Sequence, residues 1–461
     1  MASKSYPLTP RDVRPVQTAL RKISGTFPVP ESVPLLEKLR TYEPRSMEGQ
    51  PPVVWDHAEG FQVFDAWGNQ WIDFSSGVLI TNAGHNRQEI AEAIIATARR
   101  GLLTHYCFPG SPRAELAERL VRLTPPEMDK AFILSTGSEA VECALKMARQ
   151  FGRSIRPDKR VVVSFENAFH GRTLGAQLAG GTPALKEWIG PLDPSYVQVP
   201  FPDGYWTTDT SFSLFEKSLA DRNIPPDDVC AVLTETYQGG GADFAPPEYI
   251  QALRAWCDRH QAALICDEVQ AGFGRCGRLW GFEHYGIVPD LITCGKGISS
   301  SLPVSAVVGK RAFVDQFAPG SMTSTHTGNP ICAAAAVANI DLILREKLVD
   351  NAATVGAVLH AELGKVADRH PDVIACVHGK GLVAGMQCVK PGLKEPDGEL
   401  AWETVAGCVE RGLLLFSPVG RAGCSVKICP PLCITEDAVR EGVGVIAEAL
   451  DAALARRSVP K

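Results

Sequence analysis

The chain has 461 residues, 45% hydrophobic and 21% charged, with 46 basic against 52 acidic side chains and a net charge of −6. This is an ordinary globular composition in a chain long enough for more than one core. It excludes the basic excess of a nucleic-acid-binding domain, and no apolar run reaches the length of a membrane-spanning helix.

The N-terminal sequence MASKSYPLTPRDVRP lacks the apolar stretch of a secretory signal, so a cytoplasmic protein is expected. The first fifty residues are proline-rich, with a short helical pattern in SVPLLEKLRTYE, and read as an arm that packs on another surface. Val53 to Phe74 reads as short strands separated by turns at Glu59-Gly60 and Trp67-Gly68-Asn69. Beyond this point strands and helices alternate. Helical patterns occupy 88–103, 137–153 and 246–261, and strand patterns occupy 130–136, 160–166, 229–235, 262–269 and 290–296. Such alternation predicts a large, doubly wound, mostly parallel sheet. A long helix over 331–348 leads into a stretch that mixes helices with short strands at 381–389 and 425–431. The expected organisation is an N-terminal arm and strands over 1–75 packed with a small α+β domain over 346–461, and a large α/β domain over 76–345. Fourteen cysteines are scattered; Cys266, Cys276, Cys294, Cys332 and Cys429 form no CxxC pair or ligand cluster, which predicts reduced thiols and no metal site.

Two charged residues stand where predicted strands end, Asp267 in AALICDEV and Lys296 in LITCGKGISSS. A lysine at a strand end usually snorkels to solvent. In a parallel sheet, however, ligands gather at the carboxyl ends of strands, and one strand connection separates these two residues. A salt bridge is the modest interpretation. The richer one is that the lysine amine binds a carbonyl cofactor such as pyridoxal phosphate. That cofactor needs an acid at its ring nitrogen, an anion site for its phosphate and a flat residue against its ring. Ser135-Thr136-Gly137-Ser138 opens a helix, where free N–H groups bind anions and Gly137 permits close approach. Phe169 is a candidate flat residue, with His170 beside it, although each is more often structural when taken alone.

The ordered set IDFSSGVLITNAGH, STGSEAVECALK, FHGRT, DEVQAGFGRCG, CGKGISSSLP and STHTGNP resembles the class III aminotransferases of fold type I, over about Trp55 to Ala452. The resemblance implies pyridoxal phosphate as cofactor. Lys296 then resembles the cofactor-binding lysine that also moves the proton, and Asp267 the partner of the ring nitrogen. Gln270 resembles the residue beside the ring hydroxyl, Gly137 and Ser138 the phosphate cradle, and Phe169 the stacking aromatic, with His170 in the same motif. Thr325 resembles a threonine that reaches the phosphate from a neighbouring subunit, which implies a homodimer with shared active sites.

Two departures concern substrate. Gly240, in ETYQGGGADF, stands where many relatives carry a gate glutamate, and Lys427, in KICPPL, stands at the position of its arginine partner. A lysine retains a point charge but loses the bidentate fork. The segment also supplies Tyr237 and Asp243 as candidate substrate contacts, with Glu235 a further acid. The expected substrate is an amino-sugar or aminoglycoside intermediate of antibiotic biosynthesis, with an amino acid such as glutamate as amine donor. An ω-amino-acid aminotransferase of the 4-aminobutyrate or ornithine type, and a racemase or epimerase using the same cofactor, remain as alternatives.

Overall fold

Seven strands form the central sheet of the unit that runs from Gln88 to Asp350. They are β1 (Lys130–Leu134), β2 (Val161–Phe165), β3 (Tyr196–Val199), β4 (Val229–Glu235), β5 (Ala263–Asp267), β6 (Leu291–Cys294) and β7 (Ser305–Gly309). Their order is β3-β2-β4-β5-β6-β7-β1, parallel from β3 to β6, with β7 antiparallel to both its neighbours. The computed structural model describes residues 4–106 and 108–458. Every residue of β4, β5 and β6 is buried, which is why these strands read as continuous apolar runs without alternation.

Five helices matter for the site: α1 (Gln88–Arg99), α2 (Ser111–Arg122), α3 (Gly137–Ile155), α4 (Pro247–Arg259) and α5 (Pro330–Arg345). The apolar stripe of α3, with Ala140, Val141, Ala144, Leu145 and Ala148, shares one core with Leu233, Ile265, Leu291 and Val307 of the sheet. The helix starts on a capping box. Thr136 Oγ1 accepts from the Glu139 N–H, and Glu139 Oε2 accepts from the N–H groups of Ser135 and Thr136. At the start of α5, Asn329 Oδ1 accepts from the N–H groups of Ile331 and Cys332, with Pro330 in the first turn. The strands β3 and β7 and the helix α2 are elements that periodicity did not single out. Both strands are short, and α2 is largely polar, its buried contacts limited to Pro112, Leu116 and Leu120.

A second unit comprises the residues up to Arg87 together with those from Asn351 onward. Its antiparallel sheet is ordered Ile374–Lys380, Val383–Cys388, Ser425–Ile428. In a second, larger sheet Gln70–Asp73 lies between Gln62–Phe64 and Lys22–Ile23 and pairs in parallel with Leu413–Leu414, and Arg11–Asp12 pairs separately with Thr26–Phe27. Trp71, 1% exposed, anchors that pairing by donating its Nε1–H to the Val409 carbonyl at 2.9 Å. All described cysteines are free thiols, and no helix among the described residues is long and apolar enough to cross a membrane.

Candidate active site

Parallel register brings three side chains into one row. Glu235 at the end of β4 lies opposite Asp267 at the end of β5, and Asp267 lies opposite Thr293 of β6. Lys296 follows β6 in a short 3₁₀ turn, with φ of +40°, a left-handed conformation that is uncommon outside glycine. The loop after β2 carries Phe169, His170 and Gly171, and the first turn of α3 carries Gly137 and Ser138. These residues, with Thr136, Val269 and Gln270, line one cavity of about 160 Å³.

The buried Asp267 is fully engaged on one side. Its Oδ1 accepts from the Val269 N–H at 3.1 Å and the Thr293 hydroxyl at 3.0 Å, and its Oδ2 accepts from His170 Nδ1 at 2.8 Å. These bonds fix the carboxylate plane at the strand ends. Glu235 lies beside it, its Oε1 accepting from the Gly239 N–H at 2.9 Å and its Oε2 from the Phe169 N–H at 3.1 Å. Burial pushes the Glu235 carboxyl up to about 7; the Asp267 charge acts in the same direction, while His170 and the two N–H groups oppose it.

The opposite end of the cavity suits an anion. Glu139 occupies the N–H groups of Ser135 and Thr136, whereas those of Gly137 and Ser138 fall in the first turn, which has no intrahelical acceptors. Two glycines permit close packing at this end. A Cβ on Gly171, whose φ is +131°, would overlap Ser138 Oγ, and a Cβ on Gly137 would press on Val269 Cγ1 at 2.9 Å. Two buried polar atoms, His170 Nε2 and Gln270 Oε1, have no hydrogen-bond partner. Phe169 is 39% exposed, with the Arg172 guanidinium 5.7 Å from its ring centre. A flat ring with a negatively charged substituent would meet Phe169 and Val269 as apolar walls, Asp267 at one end and the α3 N-terminus at the other.

The remaining sequence candidates lie elsewhere. Tyr237 and Asp243 are buried, 1% and 6% exposed, and neither lines the cavity. The Tyr237 hydroxyl donates to the Gln270 carbonyl at 3.3 Å. Gly240 sits in the tight run Gly239–Gly241, where a Cβ on Gly239 would overlap Gln270 Nε2 and one on Gly241 would overlap Asp243 Oδ2. Lys427 is fully buried on Ser425–Ile428, opposite Gly385, and belongs to the second unit. Thr325 is exposed in the segment before α5 and does not line the cavity. Sequence reasoning missed Val269 and Thr293, whose positions depend on strand register. Among the described residues no group of three or more His, Cys, Asp or Glu side chains is arranged to hold a metal ion.

Comparison with known proteins identifies the family. Residues 44–450 match the family described as Aminotransferase class-III. The chain is 33% identical over 416 residues to the isoleucine 2-epimerase of Lentilactobacillus buchneri, covering 87% of this chain and 90% of that protein. It is 32% identical over 445 residues to the 4-aminobutyrate aminotransferase of Mycobacterium leprae, covering 93% and 98%. An amine transaminase structure from an uncultivated Pseudomonas species, in its PLP-bound form, superposes with a TM-score of 0.80 at 30% identity, over 88% of this chain and 95% of that one. The chain belongs to the class III aminotransferases and is a pyridoxal-phosphate-dependent transaminase of fold type I.

Proposed function

We propose that Lys296 and Asp267 are the catalytic residues of this transaminase, and that the cavity they share holds the cofactor. The observation that carries this reading is the pairing of an amine and a fixed carboxylate at the ends of adjacent parallel strands, inside one cavity. When bound, pyridoxal phosphate supplies an electron sink that lets an amine-bearing carbon lose its proton. Asp267, held by His170, Thr293 and the Val269 N–H, supplies the negative charge that keeps the ring nitrogen protonated. Lys296 would hold the group through its carbonyl carbon and, once displaced by the substrate amine, would be free to take up and return the migrating proton. Gly137 and Ser138 hold the phosphate, Phe169 and Val269 flank the ring, and the unpartnered Gln270 Oε1 is an acceptor for the ring hydroxyl.

For the substrate we favour an ω-amino compound, as the name of the 4-aminobutyrate aminotransferase relative suggests. A second reading, an amino-sugar or aminoglycoside intermediate, is favoured by Gly240 and Lys427, which together replace the carboxylate–guanidinium gate. The full burial of Lys427 argues against a free charge awaiting such a substrate, and Gly240 does not line the cavity. The test is kcat/KM for 4-aminobutyrate against an aminoglycoside amine. A tenfold preference, about 1.4 kcal/mol, decides between them. The likeness to an isoleucine 2-epimerase makes a third outcome measurable in the same experiment. An amine donor alone bleaches the cofactor absorbance if the chain transaminates and leaves it intact if the chain epimerises.

A further inference from the structure

Glu235 has no assigned role toward cofactor or substrate, yet it is 6% exposed at the cavity wall. Carboxylates are rarely buried unless something meets both oxygens. Here the donors are main-chain groups from two different loops. Oε2 accepts from the Phe169 N–H, in the loop after β2, and Oε1 accepts from the Gly239 N–H, in the loop after β4. A second tie joins the same loops, because Gln238 Nε2 donates to the Glu166 carbonyl at 2.7 Å.

We infer that Glu235 is a positioning residue for transamination: its carboxylate locks the loop bearing Phe169 to the loop bearing Gly239, and so holds Phe169 in place at the cavity wall. This rests on the reading of Phe169 as the ring-stacking residue. The requirement for glutamate follows from its chemistry. Above about pH 7, where it is ionised, the Glu235 carboxylate offers two acceptor oxygens and no donor, which suits two N–H groups pointing inward. Glutamine would set an NH₂ against one of those N–H groups, losing one tie and leaving a buried donor unpaired. Aspartate has the two oxygens but is one methylene shorter, so it meets both loops less well.

The test compares wild type, Glu235→Gln, Glu235→Ala and Gln238→Leu by peptide-level hydrogen exchange on the cofactor-free chain. It then measures cofactor affinity by absorbance titration and steady-state kinetics on the loaded enzyme. In Glu235→Ala, peptides covering 166–172 and 236–243 should both exchange about tenfold faster, the loss expected for one or two hydrogen bonds. Peptides from α5 should not change. Glu235→Gln should give a smaller acceleration in the same two peptides, and Gln238→Leu, which cuts the other tie, should also affect only these two. In the loaded Glu235→Gln enzyme, KM for the amine donor should rise about tenfold, with kcat within about threefold of wild type. Acceleration in one loop only, acceleration spread to α5, or a fall in kcat with KM unchanged would each overturn the inference. The exchange result is independent of the catalytic assignment. That assignment fails separately if Lys296→Ala retains wild-type cofactor absorbance and turnover.

Discussion

Lys296 is held half-buried in a left-handed conformation after β6, at a cavity that the N-terminus of α3 also lines. Lys296→Ala should lower turnover by roughly 10²–10⁴-fold or more, the range for loss of a positioned proton carrier, with the melting temperature little changed. Near-normal turnover would rule out the assignment. Asp267→Asn keeps one acceptor oxygen but sets an NH₂ group against the His170 Nδ1–H, so the imidazole must change tautomer or turn away. Single-turnover kinetics should show the amine half-reaction slowed by at least about a hundredfold, because a neutral amide cannot hold the ring nitrogen protonated. An unchanged rate would remove Asp267 from that role. A third prediction concerns Glu268, which is fully buried and accepts from the Thr236 hydroxyl and from the N–H groups of Gly281 at 2.7 Å and Phe282 at 2.9 Å. Burial outweighs these donors and pushes its carboxyl up to about 7. Between its usual value of about 4.5 and 7 the folded chain therefore binds more proton than the unfolded chain, and this group's contribution to stability falls as pH rises through that window. The stability of wild type relative to Glu268→Gln should shrink from pH 5 to pH 8 in denaturant titrations. A constant difference would mean that Glu268 does not titrate there.

At the scale of the element, sequence and structure agree best where one element accounts for a pattern by itself. The continuous apolar run of β4 and the stripe of α3 needed no partner to be recognised, whereas the capping box of Thr136 and Glu139 was not read from the sequence. Lys296 and Asp267 were legible as strand-end charges because the strands were. The row Glu235–Asp267–Thr293 was not, since the register between parallel strands is fixed by packing of the helices that join them. The contact between Gly171 and Ser138 was hidden for the same reason: it joins the loop after β2 to the start of α3, and nothing in FHGRT identifies that neighbour. It also gives a prediction. Gly171→Ala combines a φ of +131° with overlap on Ser138 Oγ, so it should both destabilise the chain and displace the first turn of α3. Cofactor affinity, measured by absorbance titration, should fall at least about tenfold more than in Gly190→Ala, where a Cβ meets no atom within 4 Å. Equal effects would show that strain alone, and not the phosphate end of the cavity, is being read.

At the scale of the whole molecule, the composition identified a large globular protein and the motif order identified its family, but neither could show what lies beyond a single chain. Thr325 is exposed and outside the cavity, which supports the proposal that it serves the site of a second copy. Sedimentation should then give a dimer at assay concentrations, and Thr325→Ala should weaken cofactor binding with the dimer intact. A fully active monomer would refute this.

The division of the chain also has a consequence in time. The unit that contains Gln70–Asp73 is interrupted after Arg87 and resumes only at Asn351, and one of its central pairings joins Ile72 to Leu413. At roughly 5–20 residues per second, synthesis of the intervening segment takes on the order of 13–50 s. Throughout that interval the strand carrying Trp71 and Ile72 lacks the Leu413–Leu414 neighbour that completes one edge, while β1 to β7, encoded without interruption, can already assemble. The segment before Arg87 thus emerges ahead of β1 to β7 yet is completed after them, with part of one edge of an apolar strand open to wrong partners in the meantime.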